Sequence, residues 1–420
     1  MRRPTLLALG LSLAAGTVVL AAGAMAADWP QFRGPNRDGI SAEKGVHTSW
    51  PAGGPRVLWK IPFGEGFSQV VVVQNRLYAF FGEKDDEIAA AYDAVTGKPV
   101  WRVRVDAKYT SDQGNGPRAT PVVDGSLVYV LSAAGKLAAL KTANGQVAWS
   151  HDLPKEFGAR IPGWGASTSP LVEGNLLVVN AGGDANRSVI AFDKATGKPV
   201  WTSQSREAGY SAPIAVTVGG VRQIIVFAAD AVQALAPKDG KLLWEVPWET
   251  DWDVNAATPI FLAPDKLFIS SGYDTGSALF QIKVSPGKVA AAELWRSKGM
   301  KNQFSSSILH EGTVYGFDNA TFKAIDVATG AERWKQRGLG HGSLILAGGQ
   351  LVVFSEQGTL HLIAATPTAY KELGAIRVLE GKCWTAPTLA HGRLYLRNEA
   401  HLIALDWTAP KAAPAAKTGR

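Results

Sequence analysis

The sequence predicts an all-β protein: an eight-bladed β-propeller of four-stranded antiparallel blades, with the last blade closed by an N-terminal strand. Three observations predict it. First, one motif recurs at fixed internal spacing. Ala91 to Trp101 reads AYDAVTGKPVW, Ala191 to Trp201 reads AFDKATGKPVW and Ala324 to Trp334 reads AIDVATGAERW. Ala139 to Trp149 (ALKTANGQVAW) and Ala234 to Trp244 (ALAPKDGKLLW) keep the spacing from Ala to Gly to Trp. A worn copy from Phe280 to Trp295, a weaker one near His361 to Val378 and a truncated Ala404-Leu405-Asp406 bring the count to eight. Second, the copies repeat about every 40 to 50 residues, the period of a propeller or solenoid. Third, the two ends of the series complement each other. The last unit has three strand-like runs (near Trp384–Leu389, Arg393–Arg397 and His401–Asp406) and then no Thr-Gly-x-x-x-Trp, while Val57-Leu58-Trp59-Lys60-Ile61 precedes the first. If that strand completes the last sheet, Trp59 is the missing Trp and no edge is left open.

From the N-terminus, residues 1–26 read as a signal peptide. Arg2 and Arg3 supply the positive end, Leu6 to Ala22 the apolar run, and Ala24-Met25-Ala26 a small-x-small cleavage site. No cysteine follows the apolar run, so no lipid anchor is expected, and no membrane span after cleavage. A general Sec-type export to the periplasm or medium is the expectation. Residues 27–56 form an N-terminal extension, 57–407 the propeller and 408–420 a disordered basic tail.

Within a unit, short apolar runs alternate with polar residues and are punctuated by Gly, Asn and Asp, as in TPVVDG from Thr120 and LVYVLS from Leu127. That is the strand and hairpin signal. Asp-x-x-Thr-Gly is a tight turn, in which Asp accepts local backbone N–H bonds and Gly supplies a positive φ. The Trp that follows fills the gap between neighbouring sheets, and its N–H needs a partner. In a repeat protein such residues build the scaffold, so function lies in what differs between copies.

Composition narrows the classes. The chain is 46% hydrophobic and 19% charged, as for an ordinary soluble fold, and eight repeats account for nearly all of it. The net charge of +7 falls to +5 once Arg2 and Arg3 leave, and no basic stripe interleaved with aromatics appears. No nucleic-acid binding is expected. The single cysteine, Cys383, has no partner and reads as a small buried side chain. A monomer is expected.

The Ala-x-Asp-x-x-Thr-Gly-Lys-x-x-Trp pattern resembles the tryptophan-docking motif of the quinoprotein alcohol dehydrogenase-like propellers. The opening Asp28-Trp29-Pro30-Gln31-Phe32-Arg33-Gly34 is similar to the start of exported PQQ-binding-like β-propeller repeat proteins, as are Tyr210-Ser211-Ala212-Pro213 and Lys382-Cys383-Trp384-Thr385-Ala386-Pro387. Two kinds of relative bracket what this implies. PQQ-dependent dehydrogenases carry chamber insertions, an adjacent Cys-Cys pair, an Asp base and a Ca²⁺ held by Glu and Asn. None of those roles maps onto a local motif here. The propeller of the outer-membrane barrel-assembly lipoprotein is close in size and is not an enzyme, but this chain lacks its anchor cysteine.

Candidate site residues lie in the segments leading into the innermost strands, which differ from copy to copy. Arg118, Trp164, Tyr210, Lys301, His341, Lys382 and Trp384, with Phe67, are expected to converge on one funnel at the channel mouth. Flat faces stack and cations attract carboxylates, which suits a planar or anionic ligand. Asp251-x-Asp253-x-Asn255 resembles the start of a Ca²⁺ loop, but no Gly and no distant Glu follow, so no metal site is assigned. The first reading is an exported, non-catalytic propeller that binds a partner protein or a small anionic or aromatic ligand at the channel mouth. The alternatives are a PQQ-dependent quinoprotein oxidoreductase, with PQQ and Ca²⁺ as its cofactors, and a periplasmic assembly scaffold.

Overall fold

The computed structural model describes residues 27–49 and 53–408; the expected signal peptide and basic tail lie outside them, apart from Thr408. Eight sheets form a ring. Blade 1 holds Val71–Val73, Arg76–Glu83, Asp86–Asp93 and Pro99–Ala107, from the channel outwards, and blades 2 to 7 repeat the order. Blade 8 is built from Thr388–Ala390, Arg393–Arg397 and His401–Asp406, and its outer strand is Val57–Pro62. Trp59 pairs with Ala404, as Trp101 pairs with Ala91 and Trp201 with Ala191. The N-terminal strand therefore closes the ring.

The repeated residues carry out the work their chemistry implies. Asp93 Oδ1 accepts the amide of Thr96 at 2.8 Å and its hydroxyl at 2.8 Å, and Asp193 and Asp326 repeat the pattern. Bonds from Thr hold all three carboxyls below the usual aspartate range; for Asp326 the largest contribution is the bond from Arg333. The glycine that follows has a positive φ (71° at Gly97, 73° at Gly197) and lies under the preceding blade's Trp. A Cβ on Gly197 would sit 2.5 Å from the Trp149 ring. Each indole N–H then crosses to the next blade: Trp59 to Ala94 O (3.2 Å), Trp101 to Thr142 O (2.9 Å), Trp149 to Lys194 O (3.1 Å) and Trp201 to Pro237 O (2.9 Å). Trp295 and Trp334 do the same.

Trp244 departs from the pattern. Its N–H donates to Gln223 Oε1 of its own blade at 2.7 Å. The cause lies in blade 5, whose outer hairpin has no Thr-Gly turn but two ten-residue strands, Gly276–Ser285 and Lys288–Ser297. Gly219 of blade 4 packs against Val284 near that hairpin's tip. The first strand of blade 8 is also shorter than its sequence run, because Trp384 to Pro387 lead into it without pairing.

Residues 27–49 are the main feature that strand patterning leaves unread. Trp29 is 1% exposed and bridges Val72 of blade 1, and Ile40–Ser41 adds a parallel fifth strand inside blade 7. Arg33 and Arg37 are buried with carbonyls as their main acceptors. Arg33 donates to Ser306 O, Ser307 O and Asp38 O, and Arg37 to Ser169 O, Pro170 O and Pro213 O. Burial pulls the two guanidiniums down, to about 10 and about 9, which leaves both cationic at neutral pH. The segment, which also accepts the Val123 amide of blade 2 at Pro30 O, thus ties together the inner ends of blades 1, 2, 3, 4, 6 and 7 and plugs the channel.

Candidate functional site

Beside the plug, the innermost segments of the blades line a cavity at the hub of the ring. It measures about 320 Å³. Phe32 and Arg33 of the plug contribute to the lining, with Gln69, Ser169, Ala212, Ser306 and Ser343 from the innermost segments. Nearer the mouth stand Phe67, Arg118, Trp164, Tyr210, Tyr273, Phe304 and Trp384. Among the described residues that line it there are two arginines and no carboxylate. Its only charged lining groups are thus cationic, and low-dielectric walls strengthen their field, which Glu87 and Glu399 moderate at Arg118 from outside the lining.

The aromatics form two groups. Phe304 stacks on Trp384 at 4.8 Å and 25°, and Phe67 lies 5.3 Å from Trp384. Trp164 and Tyr210 form a second pair at 5.9 Å, and the Tyr210 hydroxyl accepts the Trp164 amide. Trp384 is fixed from behind, where its N–H donates to Glu356 Oε2 at 3.3 Å. The other Glu356 oxygen accepts the His341 amide at 3.1 Å, and these partners hold the carboxyl below its usual range against the opposing effect of burial.

Arg118, Trp164, Tyr210 and Trp384 line the cavity as a set. Three other candidates stand outside that lining. Lys382 caps it, with Nζ 4.3 Å over the Trp384 ring and donating to Gln113 O at 2.9 Å. His341 lies behind Phe304, at 5.7 Å between ring centres. Lys301 faces outwards and pairs with Asp274 at 3.0 Å. Arg118 is wedged between Tyr109 (4.9 Å) and Phe67 (5.7 Å) and donates to the carbonyls of Trp164, Gly116 and Gly114. Burial lowers its pKa, an effect that nearby Tyr109, Glu87, Tyr210 and Glu399 partly offset.

Sequence reasoning missed Phe32 and Arg33, because nothing in a strand pattern says that an extension will turn into the channel. Their only signal was the opening motif itself. It did not rank Gln303, Phe304 or Tyr273, which line the cavity beside the residues it named. Cys383 is fully buried and desolvation pushes its thiol up to about 12, an inert packing residue. Asn255 is likewise buried, and its amide donates to Ala228 O, Ala229 O and Trp248 O. The Asp251-x-Asp253-x-Asn255 segment is therefore a braced turn, and its tip, Trp252, is 76% exposed at φ 65°.

A PQQ–Ca²⁺ pair does not fit this donor set. The lining offers stacking faces and cations to a planar polyanion, but no carboxylate to a calcium ion. Among the described residues no group of three or more His, Cys, Asp or Glu is placed to hold a metal. No described helix is long and apolar enough to cross a membrane.

Comparison with known proteins agrees with this architecture. The quinohemoprotein alcohol dehydrogenase ADHIIG of Pseudomonas putida HK5 shares the fold at a TM-score of 0.63 and 13% identity, over 94% of this chain and 82% of that one. Tetrathionate hydrolase of Acidithiobacillus ferrooxidans is 26% identical over 71% of this chain, which spans only 60% of that relative's length. Outer membrane protein assembly factor BamB of Yersinia pestis is 26% identical over 74% of this chain and 78% of its own. Residues 47–157 and 84–336 match one family, and on that match the chain belongs to the family described as outer membrane protein assembly factor BamB, with its PQQ-like propeller repeats.

Proposed function

We propose that this chain is an exported binding protein whose funnel takes a small planar anion. The observation that carries the reading is the lining: aromatic faces on both sides, Arg33 and Arg118 in the walls, and no carboxylate. Stacking supplies affinity for a flat ligand, and the two wall cations favour negative charge. The residues are fixed before any ligand arrives, which lowers the ordering cost of binding. The test is calorimetric titration with a panel of aromatic mono-, di- and tricarboxylates, PQQ among them, with and without Ca²⁺. The expected result is binding of planar polyanions that is independent of Ca²⁺ and lost in Trp384→Ala. Binding of no panel member would refute the small-ligand reading. Dye reduction by alcohols or aldoses in the presence of PQQ would favour the oxidoreductase reading instead.

One observation favours a protein partner on the same face, as an assembly scaffold would need. Trp252 is held out into solvent beside the mouth by a loop whose two ends, Trp248 and Asn255, are buried. An exposed Trp on a rigid base is the residue type that dominates interface energetics. A photo-crosslinking side chain at position 252 reports such a partner, while Trp384→Ala leaves that crosslink intact.

A further inference from the structure

We propose that the Ala26–Ala27 bond is a processing site whose new amino terminus becomes the counter-ion of Glu43. The inference begins with a buried acid. Glu43 is 4% exposed. Its Oε2 accepts the amide of Gly392 at 2.9 Å, and its Oε1 accepts the backbone nitrogen of Ala27 at 3.2 Å. The basic residues flanking Gly392 are committed elsewhere: His391 pairs with Asp28 at 2.8 Å and Arg393 donates to the His391 carbonyl. Among the described residues no ion pair reaches Glu43. A carboxylate removed from water without a cation is costly, and such groups are retained where something completes them.

The sequence supplies that cation by chemistry at one bond. Ala24-Met25-Ala26 is the small-x-small pattern that ends at Ala26. A signal-peptide-hydrolysing protease adds water across the Ala26–Ala27 amide. The C–N bond breaks, Ala26 leaves with the new carboxylate, and Ala27 keeps an amine that takes up a proton at neutral pH. The nitrogen that already donates to Glu43 then carries the positive charge Glu43 lacks. A charge-assisted hydrogen bond of this kind is about twice as strong as a neutral one.

The position of the pair gives it a consequence. Ala27 leads directly into Trp29, buried against Val72, and on to Phe32 and Arg33 in the lining of the funnel. Blade 8 holds the other side of Glu43 through Gly392. Cleavage therefore pins the start of the plug to the blade that closes the ring, and the mature chain has a more firmly seated funnel floor than its precursor.

The proposal rests on the export reading, and two measurements separate their failures. The intact mass of exported protein is expected to correspond to a chain starting at Ala27. Absence of the protein from the exported fraction would overturn export itself, whereas exported protein that retains residues 1–26, or that starts at Asp28 or beyond, would overturn the assigned bond. The second measurement is a double-mutant cycle on chains beginning at Ala27 or carrying a Gly-Ser extension before it, each with Glu43 or Glu43→Gln. Glu43→Gln is expected to lower the folding equilibrium constant roughly tenfold more in the chain that begins at Ala27. Equal effects in both backgrounds would overturn the ion pair. If the variants fold poorly, acylation of the α-amine at neutral pH gives an independent readout on the parent. Labelling is expected to be slower than for an unstructured N-terminal peptide of the same sequence, and equal rates would overturn the pairing.

Discussion

Trp59→Ala is the sharpest probe of ring closure, because it removes one docking indole and nothing catalytic. Trp59 stands on the strand Val57–Pro62 opposite Ala404, spans to blade 1 through a 3.2 Å bond to Ala94 O, and covers Gly97. It is partly buried, so the truncation withdraws on the order of 120 Å² of apolar contact, or about 3 kcal/mol at ~25 cal/mol/Å². Two details keep the cost near the low end of the ~3–5 kcal/mol seen for buried Trp. Ala94 O also accepts the Tyr395 hydroxyl at 3.1 Å, so no carbonyl is stranded, and solvent can enter the vacated edge. Trp59→Phe keeps a ring over Gly97 and loses only the N–H, at about 1 kcal/mol. The assay is urea unfolding followed by circular dichroism, comparing midpoints at unchanged slope. A Trp59→Ala protein within about 0.5 kcal/mol of the parent, beneath the size expected of any of the named mechanisms, would refute the claim that this strand carries the closure.

Two further outcomes follow from the same geometry. Gly197→Ala is expected to cost about 3 kcal/mol, from a left-handed backbone and a Cβ 2.5 Å from Trp149, while Gly174→Ala, also at positive φ but in open space, costs about 1 kcal/mol; thermal denaturation of the pair checks the difference. Glu87 is fully buried, and desolvation raises its carboxyl from 4.5 to about 7, so the folded state holds a proton the unfolded chain releases. Its contribution is therefore complete below pH 4.5 and is lost as pH rises to about 7, a change on the order of 3 kcal/mol that Glu87→Gln removes from the stability–pH profile.

The ring was legible because its determinants are local. Asp93, Thr96, Gly97 and Trp101 sit within nine residues, and each contact they make is either inside the turn or one blade away. Closure by Trp59 was legible for a related reason, since a missing Trp at one end and a spare one at the other can be matched by counting. The funnel floor was not legible. Arg33 reaches Ser307 across 274 positions of sequence, and Arg37 reaches Pro213 across 176. No periodicity encodes such contacts. The same limit applies at the mouth, where Lys301 and Lys382 share a residue type and a loop position yet one faces Asp274 and the other Trp384.

On the proposed function, that division decides how the funnel would recognise a ligand. The cations nearest to it have spent their directional hydrogen bonds on the protein. Arg118 donates to three backbone carbonyls, Lys382 to a fourth, and Arg33 to those of blade 6 and of its own loop. Bidentate clamping of a carboxylate, the usual source of arginine specificity, is therefore not the principal mode here. What remains is the net field of the buried guanidiniums, the π-faces of Trp384, Phe304, Trp164 and Tyr210, and hydroxyls such as those of Ser305 and Ser343. If the proposed function holds, such a surface would rank ligands by flatness and total negative charge ahead of the placement of any one carboxylate.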